Sequence, residues 1–330
     1  MKALVYTAPN EVTYRDEPSP SPAHGEVLIR VERVGICGSD MHAYHGRDPR
    51  RVPPLILGHE IVGDIVEGPG RGRRVTVNPL ITCGACDYCR EGRDNLCANR
   101  TMIGMTRAGG FAEWVTTAAS SVIDVPPTMP ARAAALTEPA ATALHAIGLA
   151  RRSLVRPLAD ACVLVLGGGA IGLLAALLLQ SEGVRSIALG ETNPLRRAAA
   201  GGACGATVFD PAEGNGVADA SVDLVIDAVG ARATRAAALA AVKPGGVVMH
   251  VGLADWASEI DMRKLTLAEV TLIGTYTYTT ADLVATVAAL DRGAFGDLAW
   301  VEERPLAEGA NAFRDLHEGR CAAAKVLLQP

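Results

Sequence analysis

Lysine is nearly missing from this chain of 330 residues: only Lys2, Lys243, Lys264 and Lys325 occur among 31 Lys and Arg residues. No Lys/Arg-rich run is present and the formal net charge is −5, so the electrostatic footprint of a nucleic-acid binder is missing. No apolar run reaches the ~18 residues that would read as a membrane span. The opening stretch MKALVYTAPNEVTYRDEP has one Lys but no long apolar segment, so it does not read as a secretion signal. Internal repeats are absent, and no low-complexity segment stands out beyond a general alanine bias. Apolar residues nevertheless make up 49% of the chain and charged residues 20%, which supports a packed core and argues against disorder. The expectation is a soluble cytoplasmic protein of about two domains, at ~100–200 residues each.

Eight cysteines occur, and four of them fall within fifteen residues. A disulfide-stapled secreted fold would be smaller and more evenly dosed with cysteine. A reducing compartment with one clustered metal site fits better.

Two textures divide the chain. Residues 1–80 carry short strand-like runs, Lys2–Tyr6, Glu26–Val34, Ile61–Val66 and Arg73–Val77, separated by Pro and Gly. That density predicts a barrel-like β domain. Ala131–Ala150 is Ala/Leu-rich and reads as a helix. Strands and helices then alternate: strand Ala161–Leu166, helix Ile171–Ser181, strand Ser186–Leu189, helix Pro194–Ala200 and strand Thr207–Phe209. Strand Val222–Ile226, helix Arg232–Ala241, and strands Val247–Val251 and Val270–Ile273 follow. Such alternation predicts βαβ units and a parallel sheet. A helix at Ala281–Leu290 and a mixed tail ending in a strand-like Ala324–Leu328 complete the chain.

At the first strand–helix junction, Gly167-Gly-Gly169-Ala170-Ile171-Gly172 gives G-x-G-x-x-G. The pattern alone is weak, but here it follows an apolar strand and opens an apolar helix. Gly167 permits the tight turn, Gly169 lets the backbone approach a pyrophosphate at the helix N-terminus, and Gly172 allows close packing of helix on strand. Glu191, nineteen residues after Gly172, ends the second strand, where a carboxylate accepts ribose hydroxyls and repels a 2′-phosphate. NAD is therefore favoured over NADP, although Arg196 and Arg197 lie close enough to hold such a phosphate.

Cys83-x2-Cys86-x2-Cys89-x7-Cys97 lets one loop wrap an ion in a thiolate cage, the pattern of a closed, structural zinc site. An iron–sulfur cluster or disulfides are the alternatives. A third, dispersed set consists of Gly35-Ile-Cys37-Gly-Ser39-Asp-Met-His42, Gly58-His59-Glu60 and Leu136-Thr-Glu138. Taken singly, each has a plain structural reading: a small core thiol, a loop polar pair, a carboxylate at a helix start.

Taken together, in this order, these motifs resemble the zinc-dependent medium-chain dehydrogenase/reductase family of alcohol and polyol dehydrogenases, over essentially the whole chain. The resemblance implies an α/β protein with three parts. These are a GroES-like β-barrel catalytic domain over 1–145 with a structural zinc lobe at 83–97, a Rossmann NAD-binding domain over 146–279, and a segment 280–330 returning to the catalytic domain. It also implies two zinc ions per subunit. The catalytic ion would be held by Cys37, His59 and a carboxylate, Glu60 or Glu138, with a fourth position open. Hydride would pass between a secondary alcohol, diol or polyol and NAD by way of a zinc-bound alkoxide. Ser39 and His42 match the family's proton relay, the imidazole suiting that task because it titrates near neutrality. The cofactor contacts implied are Gly167, Gly169, Ala170, Ile171, Gly172, Glu191 and Arg196. A homodimer or homotetramer is implied, with Val247–Val251 or Val270–Ile273 as the candidate edge strand. The stretch Gly274-Thr-Tyr-Thr-Tyr-Thr resembles the family segment near cofactor and hinge. An NADPH-dependent carbonyl reductase and a zinc-stabilised dinucleotide sensor without chemistry are the competing readings.

Overall fold

A computed structural model describes residues 1–214 and 216–330. Strand Glu26–Gly35 is the spine of the first half, and in its first six residues alternate side chains, Val27, Ile29 and Val31, turn into the core. It pairs antiparallel with Glu60–Glu67 and with Trp114–Ala118. The sheet continues through Arg74–Val77 to Val122–Asp124 on one side. Lys2–Ala8, Glu11–Asp16 and Leu55–Ile56 form a smaller sheet packed into the same core, where Leu4, Ile29, Ile65, Phe111 and Phe313 are fully buried.

The second half is a parallel sheet of six strands. Their spatial order is Thr207–Phe209, Ser186–Gly190, Cys162–Leu166, Val222–Asp227, Val242–His250 and Thr271–Gly274. In chain order that is 3-2-1-4-5-6, the doubly wound arrangement whose reversal point opens a nucleotide crevice at the carboxyl ends of the strands. Every residue of Val222–Asp227 is buried, as expected for a strand covered on both faces.

Two sequence expectations need correction, and the mixed tail ending in a strand is found as expected. Val247–Val251 is not an edge: the strand it belongs to, Val242–His250, lies between Val222–Asp227 and Thr271–Gly274. Successive right-handed crossovers carry each later strand outward, so the last one, Thr271–Gly274, is exposed at the rim. The helix expected over Ala131–Ala150 is two helices, Ala131–Ala134 and Thr137–Ser153. Thr137 Oγ donates to the carbonyl of Ala134 at 2.8 Å, and Pro139 is tolerated only because it falls in the first turn of the second helix. The mixed tail holds a strand, Val301–Pro305, and a helix, Gly309–His317. The final strand, Lys325–Gln329, runs parallel to Val301–Pro305 and pairs with Val34 and Gly35 of the spine. The tail thereby extends the first sheet and brings Lys325 to the end of the spine strand.

Candidate active site

Cys37 stands where the spine strand ends and helix Gly38–Tyr44 begins. The Asp40 carboxylate turns back to accept the Cys37 backbone N–H at 3.0 Å, which fixes the entry to this short helix. His59 and Glu60 arrive at the start of the neighbouring strand, and Glu60 pairs in register with Gly35. A thiol, an imidazole and a carboxylate are thus gathered: the ligand atoms of Cys37, His59 and Glu60 all lie within 4.8 Å of one another. Gly35 is required here, because a Cβ on it would sit 1.8 Å from a Glu60 carboxylate oxygen.

The surroundings are dry and densely charged. His59, Glu60, Asp40, Glu138 and Lys325 are all buried. His59 Nδ1 faces Asp40 Oδ1 at 3.6 Å, too long for a good hydrogen bond, and both atoms lack a closer partner. Burial opposes charge on His59, but Asp40 and Cys37 outweigh it and hold its pKa well above the ordinary value. Asp40 is likewise penalised by burial, yet His59, Arg51 and the Cys37 N–H keep it below the usual range. With Nδ1 turned toward the Asp40 carboxylate, Nε2 is the nitrogen available to a ligand, as in metal-binding histidines backed by a carboxylate. A soft thiolate, an imidazole and buried carboxylates in one dry pocket call for a cation, and their chemistry suits zinc.

The two candidate carboxylates are restrained differently. Glu60 receives Lys325 Nζ on both oxygens, at 2.5 and 2.7 Å, and Lys325 also donates to the Ile36 carbonyl at 2.8 Å. Burial lowers the Lys325 pKa, but Glu60 and Cys37 more than reverse that. Glu138, in the first turn of Thr137–Ser153, accepts the Tyr278 hydroxyl on Oε1 at 2.6 Å. Burial pushes the Glu138 carboxyl up; His59 opposes this and Glu60 adds to it. The Tyr278 phenol is raised well above its ordinary value by burial and by the charge on Glu138. Cys37, His59 and Glu60 form the close cluster, and Glu138 feels the charges of His59, Glu60 and Lys325.

Ser39 and His42 project from the same short helix. Ser39 Oγ accepts from Arg51 Nη2 at 3.1 Å. Arg51 is itself buried and also donates to Gly104 O at 3.0 Å and Asp48 Oδ2 at 2.6 Å. Because Arg51 can only donate, the Ser39 proton is left to point elsewhere. His42 is half-buried, and burial followed by the nearby Arg47 and Arg51 charges lowers its pKa.

The four lobe cysteines also come together. Cys86 Sγ lies 3.5 Å from Cys89, Cys97 Sγ 3.6 Å from Cys83, and Cys83 Sγ 4.0 Å from Cys89. Four thiolates ~2.3 Å from one tetrahedral ion would stand about 3.8 Å apart. Disulfides would need contacts near ~2.05 Å, so the packing suits a single ion. N–H groups of Ala85 and Cys86, then Cys97, bring the Cys83 pKa down to about 6, which favours the thiolate.

Comparison with known proteins agrees with this geometry. Residues 23–127 match the alcohol dehydrogenase GroES-like domain, and residues 131–315 match the glucose dehydrogenase C-terminus. The L-galactonate-5-dehydrogenase of Escherichia coli (strain K12) is 30% identical over 97% of this chain and 96% of that protein. This chain belongs to the zinc-dependent medium-chain dehydrogenase family. An L-threonine 3-dehydrogenase of Sinorhizobium fredii is 31% identical to this dehydrogenase over 96% of the chain and 94% of that protein. The solved acetophenone reductase of Geotrichum candidum, in complex with NAD, superposes with a TM-score of 0.88 at 27% identity, covering 100% of this chain and 97% of that one.

In this dehydrogenase the glycine turn lies at the carboxyl end of Cys162–Leu166. Gly167 has φ +102, and a Cβ on Gly172 would meet the Gly167 carbonyl at 1.9 Å. Around Gly169, the N-cap of Ala170–Ser181, a Cβ would meet open space, which leaves the helix N-terminus accessible to an anionic ligand. Glu191 is buried, and its carboxylate already accepts Gly168 N at 2.9 Å and Asn193 N at 2.7 Å, with Arg196 Nη2 at 3.3 Å. It therefore braces the turn. Sequence reasoning missed Asp40, Arg51, Tyr278 and Lys325 as parts of the site. Asp40 sat inside a motif already singled out, and Lys325 was visible as a rare lysine in an apolar strand.

Proposed function

We propose that this chain is a zinc- and NAD-dependent oxidoreductase that moves hydride between a secondary alcohol, diol or polyol and the nicotinamide ring. The observation that carries the reading is the buried cluster of Cys37, His59 and Glu60, whose ligand atoms lie within 4.8 Å of one another, with Glu138 beside it. The relatives' names support a hydroxyl-bearing substrate. Cys37, His59 and a carboxylate would hold the catalytic zinc; Cys83, Cys86, Cys89 and Cys97 would hold the structural one. A zinc ion so placed supplies Lewis acidity that makes a substrate hydroxyl easier to deprotonate.

The chain's own residues then manage the proton and the geometry. Ser39, its oxygen pinned by Arg51, is set to pass the hydroxyl proton on, and His42 takes it toward solvent. A lowered His42 pKa keeps the imidazole neutral and ready to accept at pH 7. Bound NAD would supply the acceptor for a hydride leaving the substrate carbon with both bonding electrons, so that one proton and one NADH would form per alcohol oxidised. Gly167, Gly169, Ala170, Ile171 and Gly172 would seat the pyrophosphate, and Glu191 the ribose. Use of NADP is a second reading, favoured by Arg196, whose buried Nε has no partner.

Division into 1–145, 146–279 and 280–330 is supported by the two sheets and by the return of the last strand to the first of them. A homo-oligomer is supported by the open edge of Thr271–Gly274 and the nearby exposed Leu253, Trp256, Met262 and Leu267. A cytoplasmic setting suits thiolate ligands, which a reducing compartment protects. No helix among the described residues is long and apolar enough to cross a membrane.

The test is metal analysis combined with a panel of secondary alcohols, diols and sugar alcohols read by NADH absorbance. Two zinc ions per chain with turnover of at least one class are expected. A single ion, retained when Cys37 is replaced, together with no turnover, would reject the proposal.

A further inference from the structure

We infer that Tyr278 is a positioning residue of the catalytic metal site, and that the cysteine lobe sets its place. This rests on the reading above, in which Glu138 is a candidate carboxylate beside the cluster of Cys37, His59 and Glu60. Tyr278 is fully buried, and its hydroxyl donates to Glu138 Oε1 at 2.6 Å. The bond occupies one carboxylate oxygen, whereas Lys325 occupies both oxygens of Glu60. The phenol hydroxyl thus restrains Glu138 through Oε1 and leaves Oε2 without that bond, as hydrogen-bond donors behind a ligating carboxylate do.

Tyr278 lies between strand Thr271–Gly274 and helix Thr280–Asp291, in a stretch gripped by the lobe. Asn95 Nδ2 donates to the Tyr276 carbonyl at 2.8 Å. The Arg100 guanidinium lies 4.8 Å from the Tyr276 ring centroid, and its Nε donates to the phenol oxygen at 3.3 Å. Thr280 donates its hydroxyl to Asp94 at 2.5 Å, and its Oγ accepts from Asn78 Nδ2 at 3.2 Å. Asp94 and Asn95 form the short turn leading into Cys97. Between the two tethered positions, Thr277 is held at φ +48, a left-handed conformation that a β-branched residue adopts only when its surroundings impose it. The tethers and the strained residue together orient Tyr278, so order in the lobe reaches Glu138 through this stretch.

The test is cobalt substitution of the holoenzyme, with the visible spectrum and Co2+ affinity of the open site as readouts. Tyr278→Phe keeps the ring and removes the hydroxyl. It should change the cobalt spectrum and weaken Co2+ binding at the open site by about 10-fold or more, while the lobe keeps its own ion. Asn95→Ala, which leaves Tyr278 and Glu138 intact, should change the same spectrum in the same direction. It carries the test should the Phe variant fail to fold. A parental spectrum and affinity in Tyr278→Phe overturns the positioning role; a parental spectrum in Asn95→Ala overturns the coupling to the lobe. If the parent itself binds only one ion, in the lobe, it is the functional reading that has failed.

Discussion

Replacing Lys325 by Met tests the charge balance on which the candidate site depends. The two side chains have similar length, so the packing of the last strand is kept and only the charge and its three hydrogen bonds are removed. In the parent all three Nζ protons are used, on the Ile36 carbonyl and both Glu60 oxygens, in a pocket where the two side chains are 2% and 0% exposed. Removing one member of such a pair leaves the other charged and buried, which costs about 3–5 kcal/mol. For a protein of this size each kcal/mol moves the thermal midpoint by roughly 1.4 °C, so a loss of about 4–7 °C is expected. The loss should be largest in metal-depleted protein, where Glu60 has no other strong cation but His59. It should shrink when zinc is restored, because the carboxylate then has a dication to approach. Calorimetry of parent and variant, with and without zinc, measures both quantities. A midpoint within 2 °C of the parent in the metal-depleted protein would refute the assignment of a tight buried ion pair.

Three further outcomes are expected. Cys37→Ala should abolish turnover while the lobe keeps its ion; activity at the parental level would remove Cys37 from the ligand set. Glu191→Ala should weaken NAD binding and narrow the preference over NADP, because the variant loses both the ribose acceptor and the brace on Gly168; an unmoved NAD/NADP ratio in steady-state kinetics would contradict the ribose role. Asp223 is raised by burial, but the Cys162 N–H and the Lys243 and Arg156 cations more than compensate, leaving its pKa below the ordinary value. A depressed carboxyl stabilises the fold above its unfolded pKa near ~3.9 and loses that contribution as pH falls through the folded value. Asp223→Asn should therefore melt below the parent at pH 7, with the gap closing under about pH 4; a gap independent of pH would rule this out.

Local order along the chain is enough to determine much of this protein. The glycine turn between an apolar strand and an apolar helix, the spacing of four cysteines, and the strand–helix alternation after residue 160 are short-range patterns, and each is found where the sequence puts it. They can be read because a turn, a chelating loop and a βαβ unit are each built from residues close in sequence. Cys37, His59, Glu60 and Glu138 could be nominated as candidates, yet only folding brings Cys37, His59 and Glu60 to one pocket. Tertiary structure alone decided that Lys325, 265 residues from Glu60, neutralises that carboxylate, and that Tyr278, 140 residues from Glu138, holds the other one. It also decided that Thr271–Gly274, rather than Val247–Val251, is an edge strand of the parallel sheet, with Thr207–Phe209 at the opposite end. These facts depend on sheet register and on crossovers that return the tail to the first strand layer. Single-residue properties do not encode such pairings; they emerge when distant segments share one dry, charged interior.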